Sequence, residues 1–324
     1  MIQSDVTDAT MMSYEAARTR AVVVQREDRA LIRVYGRDPV KMIQGLITND
    51  LAGAATDRAV YAGVLTPKGK FIADLRAYKK GADVMLELDA TAKAGLLEHL
   101  KKSVPPLFAR FEDVSATYAV LGVYGPNAGS CIRAIDENMP EALADDEIAE
   151  LNIGSAIGTH YSGTSGVDLV VSREQADDVL ERLIAAGAQP ASLDTLEVLR
   201  IEAGQPRWGA ELDEGVIPIE AGLRARMISE TKGCYTGQEV IIRILHRGHV
   251  NRHLRGLRFG ATHIVAGTAL FNEAGKEIGK VTSVTWSPRF DQYIGLGYVR
   301  REIEPPAAVR AGDSGTAEVI ALNE

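Results

Sequence analysis

Cysteine is nearly absent: the 324 residues hold two. They stand about a hundred residues apart, too few for a disulfide framework, and suit a reducing cytosol, so a cytoplasmic location is expected. No apolar run approaches the roughly 20 residues that cross a bilayer, so no membrane partner is expected. The opening residues, Met1-Ile2-Gln3-Ser4-Asp5-Val6-Thr7-Asp8, lack the basic start and apolar centre of a signal peptide, and none is expected. Low-complexity tracts and repeats are missing. So are a Walker loop, a complete GxGxxG fingerprint, a GxSxG elbow and a CxxC pair. Nucleotide hydrolysis, dinucleotide redox chemistry and serine hydrolysis therefore have no support. The net charge of −8 argues against nucleic acid or anionic membrane binding through the whole surface, and direct nucleic-acid binding is not expected.

What is present is ordinary for a soluble globular protein, 46% hydrophobic and 25% charged, and the length suffices for two or three domains. Residues 1–20 read as a loose lead-in. Residues 21–25 and 30–35 read as strands. Asp38-Pro39 opens a helix with a capping carboxylate and proline at the first position. Gln44, Thr48, Asn49 and Asp50 form a polar corner at its end. Residues 61–65 and 71–75 make a hairpin around the turn 66–70, and 84–88 adds a strand. A helix over 91–102 stops at Pro105-Pro106. A second cycle follows: a strand over 119–124, a helix from Pro126, an acidic surface excursion over 137–150, and a Gly/Ser-rich turn feeding a strand that ends near 171. Helices come next over 173–186 and 194–203, the latter with Asp194 and Glu197 spaced as a capping box. From about residue 250 short strands alternate with glycine turns, which implies a small β-barrel. The order is α+β, with mixed sheets and no regular βαβ rhythm.

One stretch stands out, Lys232-Gly233-Cys234-Tyr235-Thr236-Gly237-Gln238-Glu239. Its glycines make a sharply bent loop. The run 239–245 that follows reads as a helix, which places Cys234 just ahead of its N-terminus, where the dipole favours a thiolate. Lys232 adds a positive charge close by, and Arg243 does so if the fold turns it back. The spacing fits a reactive or partner-contacting cysteine and, equally, a small apolar residue packed in a tight turn.

This stretch, followed by Arg243, matches a K-G-C-Y-x-G-Q-E signature, and through it the chain resembles the folate-binding YgfZ family, relatives of the glycine-cleavage T-protein (aminomethyltransferase). Supporting segments are 199–206, Gly209-Ala210-Glu211-Leu212, 217–223, Gln44-Gly45-Leu46-Ile47-Thr48-Asn49-Asp50 and Gly279-Lys280-Val281-Thr282-Ser283, so the likeness spans roughly residues 20–320. It implies an α+β, T-protein-like ring of two mixed α/β parts with a C-terminal β-barrel: residues 1–115, residues 116–250 with the KGCYTGQE loop, and residues 251–324. It further implies that tetrahydrofolate or a derivative binds in a central hole. The function it implies is that of an accessory protein in iron–sulfur enzyme assembly or repair, linked to tRNA modification and dependent on Cys234. The alternative is a folate-dependent aminomethyl or one-carbon transferase.

Residue by residue, the T-protein's arginine-x-glutamate-x-glycine segment falls on Arg200-Ile201-Glu202-Ala203-Gly204. Glu202 is thereby the expected pterin contact, since a carboxylate accepts two hydrogen bonds from an amino-pyrimidine edge. Arg200, Trp208 and Gln238 join it as expected folate contacts; Trp208 either stacks on the pterin or packs at a domain junction. The T-protein's aspartate pair is here Ala73-Asp74, so Asp74 is the one carboxylate expected near folate N5, and aminomethyl transfer is in doubt. The acidic residue of the T-protein's tyrosine-threonine-glycine-glutamate segment is missing from Tyr161-Ser162-Gly163-Thr164. Lys232, Gly233, Tyr235, Gly237, Glu239 and Arg243 are carried over as motif residues beside Cys234.

His246, His249 and His253 have helical spacing, but Gly248 and Asn251 break the run and no further ligand is evident, so no metal is expected. The region 224–258 is rich in arginine for so acidic a chain. It is expected either to pair with the chain's own carboxylates or to meet an anionic partner, such as an iron–sulfur client or assembly protein, RNA, or the folate tail.

Overall fold

A computed structural model of the chain describes residues 7–322. In chain order, the first part comprises α1 (Asp8–Thr19), β1 (Val22–Gln25), β2 (Arg29–Gly36), α2 (Pro39–Gln44), β3 (Val60–Leu65), β4 (Phe71–Lys80), β5 (Asp83–Asp89), α3 (Lys93–Ser103) and β6 (Ala109–Asp113). Next come β7 (Tyr118–Tyr124), α4 (Ala128–Arg133), β8 (Ile148–Leu151), β9 (Gly154–Thr159), β10 (Gly166–Ser172), α5 (Ala176–Ala185), β11 (Gln189–Ala191), α6 (Leu193–Glu202), α7 (Arg224–Met227) and α8 (Gln238–Arg247). The last part is β12 (Arg252–Gly260), β13 (Ala269–Phe271), β14 (Glu277–Ser287), β15 (Gln292–Arg300), β16 (Ala307–Ala311) and β17 (Gly315–Ile320).

These strands form a six-stranded sheet, β11-β1-β7-β10-β9-β8, a five-stranded sheet, β3-β4-β5-β2-β6, and a closed barrel, β12-β15-β14-β13-β16-β17. The α+β class with a C-terminal barrel is what the sequence led us to expect. The parts are less separable than the boundary at 115 and 116 suggests. Strand β1 runs antiparallel to β7 and parallel to β11, so the N-terminal strand completes the sheet of the second part. Its three valines are buried on both faces, which only a central position satisfies.

Residues 8–19 are helix, not lead-in, while residues 1–6 lie outside the described residues. Thr7 caps α1 by accepting the Thr10 N–H at 3.2 Å. The helix buries Tyr14, Ala16 and Ala17 against Val22, Val24 and Leu199, a face of small residues with no aliphatic stripe to announce it. Asp38 and Asp194 do not cap as expected. Neither makes a side-chain capping bond, and α6 starts after Ser192. Glu197 turns instead to Arg200. Within the acidic excursion, Ile148 opens the edge strand β8.

The segment 205–247 fills the junction. Leu212, Val216, Leu223, Met227, Tyr235 and Ile241 share one core with Leu65 and Phe71 of the five-stranded sheet and Leu254, Leu296 and Tyr298 of the barrel. Trp208 belongs both to this core and to that of the five-stranded sheet.

Candidate functional site

Where the two sheets meet, a cleft with a volume of about 60 Å³ is lined by side chains from both. Its floor is a buried charge network. Arg76 on β4 pairs with Glu87 on β5 at 2.7 Å and with Asp168 on β10 at 2.5 Å. Glu87 also takes Arg29 at 2.9 Å, and the second oxygen of Asp168 accepts the Tyr124 hydroxyl at 2.7 Å. Arg26 donates to the Tyr124 oxygen at 2.7 Å and pairs with Asp28 at 2.8 Å. Burial alone would raise the Glu87 carboxyl, but Arg76 and Arg29 hold it well below the usual carboxylate range. The floor is therefore rigid, with its charges matched.

The wall above it is less complete. Register sets Asp74 opposite Gly63 on the β3–β4 hairpin, two residues from Tyr61. The Tyr61 hydroxyl donates to Asp74 Oδ2 at 2.8 Å. Asp74 Oδ1 is buried and has no hydrogen-bond partner among the described residues. Burial pushes this carboxyl above its ordinary value, against the pull of Arg29 and of the tyrosine hydroxyl. Arg226 of α7 lies with its guanidinium 4.8 Å from the Tyr61 ring centroid and donates to the Gln205 amide oxygen at 3.3 Å. Trp208 closes the side, edge-on to Phe71 at 6.5 Å. Behind the wall, the Asn49 amide donates to the backbone oxygens of Tyr61 (2.9 Å) and Arg226 (3.2 Å).

Of the expected folate contacts, Trp208 lines this cleft with Asp74. Glu202 and Arg200 do not. Glu202 accepts from Tyr14 at 2.8 Å and from Ser287 at 2.5 Å, joining α1, α6 and the barrel. Arg200 is fully buried, bonded to Glu197, to Glu211 at 2.8 Å and to Ser283 at 2.7 Å. Glu211 in turn accepts from Thr282 at 2.7 Å and Ser283 at 2.6 Å. The motif segments 200–204, 209–212 and 279–283 are thus three sides of one polar lock between α6 and the barrel. Gln238 opens α8, away from the cleft lining.

The cysteine loop is built from its neighbours. The Lys232 ammonium donates to the carbonyls of Gln44 (2.6 Å), Ile47 (2.7 Å) and Asn49 (3.0 Å), the polar corner after α2. Tyr235 is buried, which raises its hydroxyl to about 12. Gly237 has φ +84°, and a Cβ there would come within 2.6 Å of the Thr66 carbonyl, so only glycine fits. Gly233 and Glu239 are exposed. Cys234 is exposed, while the other cysteine, Cys131, is buried. The loop thus docks on the N-terminal part rather than on residues 116–204.

Helix α8 carries Glu239, Ile242, Arg243, His246 and Arg247 on its exposed side and buries Ile241. Elsewhere in the basic region, Arg224 pairs with Glu230, Arg252 with Glu220 and Arg258 with Glu318. Among the described residues, no three His, Cys, Asp or Glu side chains gather as a metal site, and no helix is long and apolar enough to cross a membrane.

Sequence reasoning missed Tyr61, Arg226 and the Arg76–Glu87–Asp168 floor. The hairpin register could have put Tyr61 beside Asp74. Nothing local marks Arg226, which reaches the cleft through the junction segment.

Residues 3–231 match the GCVT N-terminal domain and residues 252–320 the glycine cleavage T-protein C-terminal barrel domain. The chain is 30% identical to an aminomethyltransferase of Rubrobacter xylanophilus over 90% of its own length and 79% of the relative's. It is 31% identical to one of Geobacillus kaustophilus over 90% and 82%. The crystal structure of aminomethyltransferase T from Bartonella henselae shares the fold, with a TM-score of 0.87 at 22% identity, over 97% of this chain and 88% of that one. The chain belongs to the glycine cleavage T-protein family.

Proposed function

We propose that this protein is a cytoplasmic, tetrahydrofolate-binding accessory factor of the YgfZ type, which offers Cys234 to an iron–sulfur client. The observation that carries the reading lies in the loop: Lys232, Tyr235 and Gly237 are used in building it, and Cys234 is the side chain left at its surface. A turn held this firmly, with the reactive group outward, suits a contact with another protein. The exposed basic residues of α8 supply a face for an acidic partner.

The cleft suits folate in chemistry. Asp74 Oδ1 is an acceptor without a donor, and Trp208, Tyr61 and Tyr161 are aromatic surfaces beside it. Bound tetrahydrofolate would supply an amine, N5, able to carry a one-carbon unit. The space of about 60 Å³ is smaller than known ligand pockets, so a pterin would occupy the open mouth of the cleft as well as its interior. Asp74 would accept a ring N–H, and Trp208 would pack on the ring.

The unpartnered Asp74 oxygen also favours a second reading, a one-carbon transferase in which Asp74 touches the reacting nitrogen. Two experiments separate them. Cells carrying Cys234→Ala should lose iron–sulfur enzyme activity with the protein level unchanged; normal activity sinks the accessory reading. Purified protein should not turn over an aminomethyl or formyl donor with tetrahydrofolate; turnover abolished by Asp74→Asn establishes the transferase.

A further inference from the structure

We propose that the inner cleft binds a small carboxylate-bearing amine, an α-amino acid or its N-methylated form, with its carboxylate on Arg226 and its nitrogen on Asp74. The argument starts from charge matching. Arg26, Arg29 and Arg76 are each balanced by Asp28, Glu87 or Asp168, and Arg207 lies 3.3 Å from Glu197. Arg226 is different. Its partners are an aromatic ring and one amide oxygen, and among the described residues no carboxylate comes within ion-pair distance of it. Burial raises the Asp146 carboxyl, and Arg226 acts on it only from beyond that distance. A half-buried guanidinium without a carboxylate, lining a cleft, is arranged to receive one.

Asp74 supplies the complement, a buried carboxylate oxygen with no donor. Such an atom is costly unless a ligand completes it. Tyr61 sets the spacing, because the cation lies over its ring and the carboxylate takes its hydroxyl. The Tyr61 side chain thus lies between the two charges, and the cleft's 60 Å³ admits only a few heavy atoms. A short zwitterion meets all three constraints. Neither a lone carboxylate nor a lone amine does. Binding of this ligand does not depend on folate, and because both would use Asp74 Oδ1 the two are expected to compete.

The test is calorimetric titration of the full chain with glycine, N-methylglycine and N,N-dimethylglycine, with acetate and dimethylamine as half-ligands. At least one zwitterion should bind tenfold or more tightly than either half-ligand. Arg226→Gln should weaken it by at least tenfold, with Arg226→Lys recovering part of the loss, and melting curves should show all variants folded. Asp74→Asn should weaken the zwitterion and leave acetate unchanged. Absence of zwitterion binding to the wild type, or equal binding to Arg226→Gln, overturns the proposal. Tetrahydrofolate titrated in parallel keeps the two readings apart: folate binding without zwitterion binding removes this inference alone, and the reverse removes the folate reading alone.

Discussion

The Tyr61 hydroxyl lies 2.8 Å from Asp74 Oδ2 and is, among the described residues, the one side-chain hydrogen bond this carboxylate receives. Removing it tests how strained the carboxylate is. Tyr61→Phe should cost about 1–2 kcal/mol at neutral pH, the scale of losing a bond to a charged group. Asp74→Asn should instead stabilise, by about 1 kcal/mol, since it removes a buried charge with an unmet acceptor. The folded pKa of Asp74 is raised by burial, so the native state binds its proton more tightly than the unfolded chain does. The penalty is thus present at neutral pH and relieved as pH falls through the raised value toward the ordinary one. Urea denaturation across this range should show the advantage of Asp74→Asn shrinking on acidification; a constant difference would mean the carboxylate is not strained.

Glu202 is tied to Tyr14 and Ser287, so its loss should register as stability and not as affinity. Glu202→Ala should lower the melting temperature and leave tetrahydrofolate binding unchanged. Trp208→Leu should weaken that binding by about tenfold, the scale of one aromatic contact. Calorimetry on both variants decides which segment meets the folate.

The lock between α6 and the barrel joins fully buried charges, Arg200 and Glu211. Glu211→Ala should cost about 3 kcal/mol or more, because it leaves Ser283 without its acceptor, Thr282 with the Leu296 carbonyl alone and a buried guanidinium half-paired. A thermal melt that hardly moves would contradict this.

Gly237→Ala puts a methyl against the Thr66 carbonyl at a positive φ. It should destabilise by about 1–3 kcal/mol and loosen the cysteine loop. Alkylation of Cys234 followed by mass spectrometry should change in rate, while Cys131 stays protected by burial.

Much of this architecture was readable from the chain. The hairpin carrying Asp74, the strand-and-turn texture of the barrel and the bent loop around Cys234 follow from periodicity and glycine placement. Helix α1 was not readable, because its buried face is Thr10, Ser13, Tyr14, Ala16 and Ala17, which forms no aliphatic stripe. Two expected folate contacts do not line the cleft: Arg200 bonds Glu211 and Ser283, and Glu202 bonds Tyr14 and Ser287, placements set by tertiary packing that the local motif does not encode. Arg226 was unreadable as a site residue, since only the long excursion 205–247 brings it to the cleft.

Asn49 belongs to two places at once. Its side-chain amide holds the backbones of Tyr61 and Arg226, and its carbonyl holds the Lys232 ammonium. The cleft wall and the cysteine loop therefore share one residue among their supports. Replacing Asn49 is therefore expected to be felt on both sides, in the wall of the cleft and in the seat of the cysteine loop.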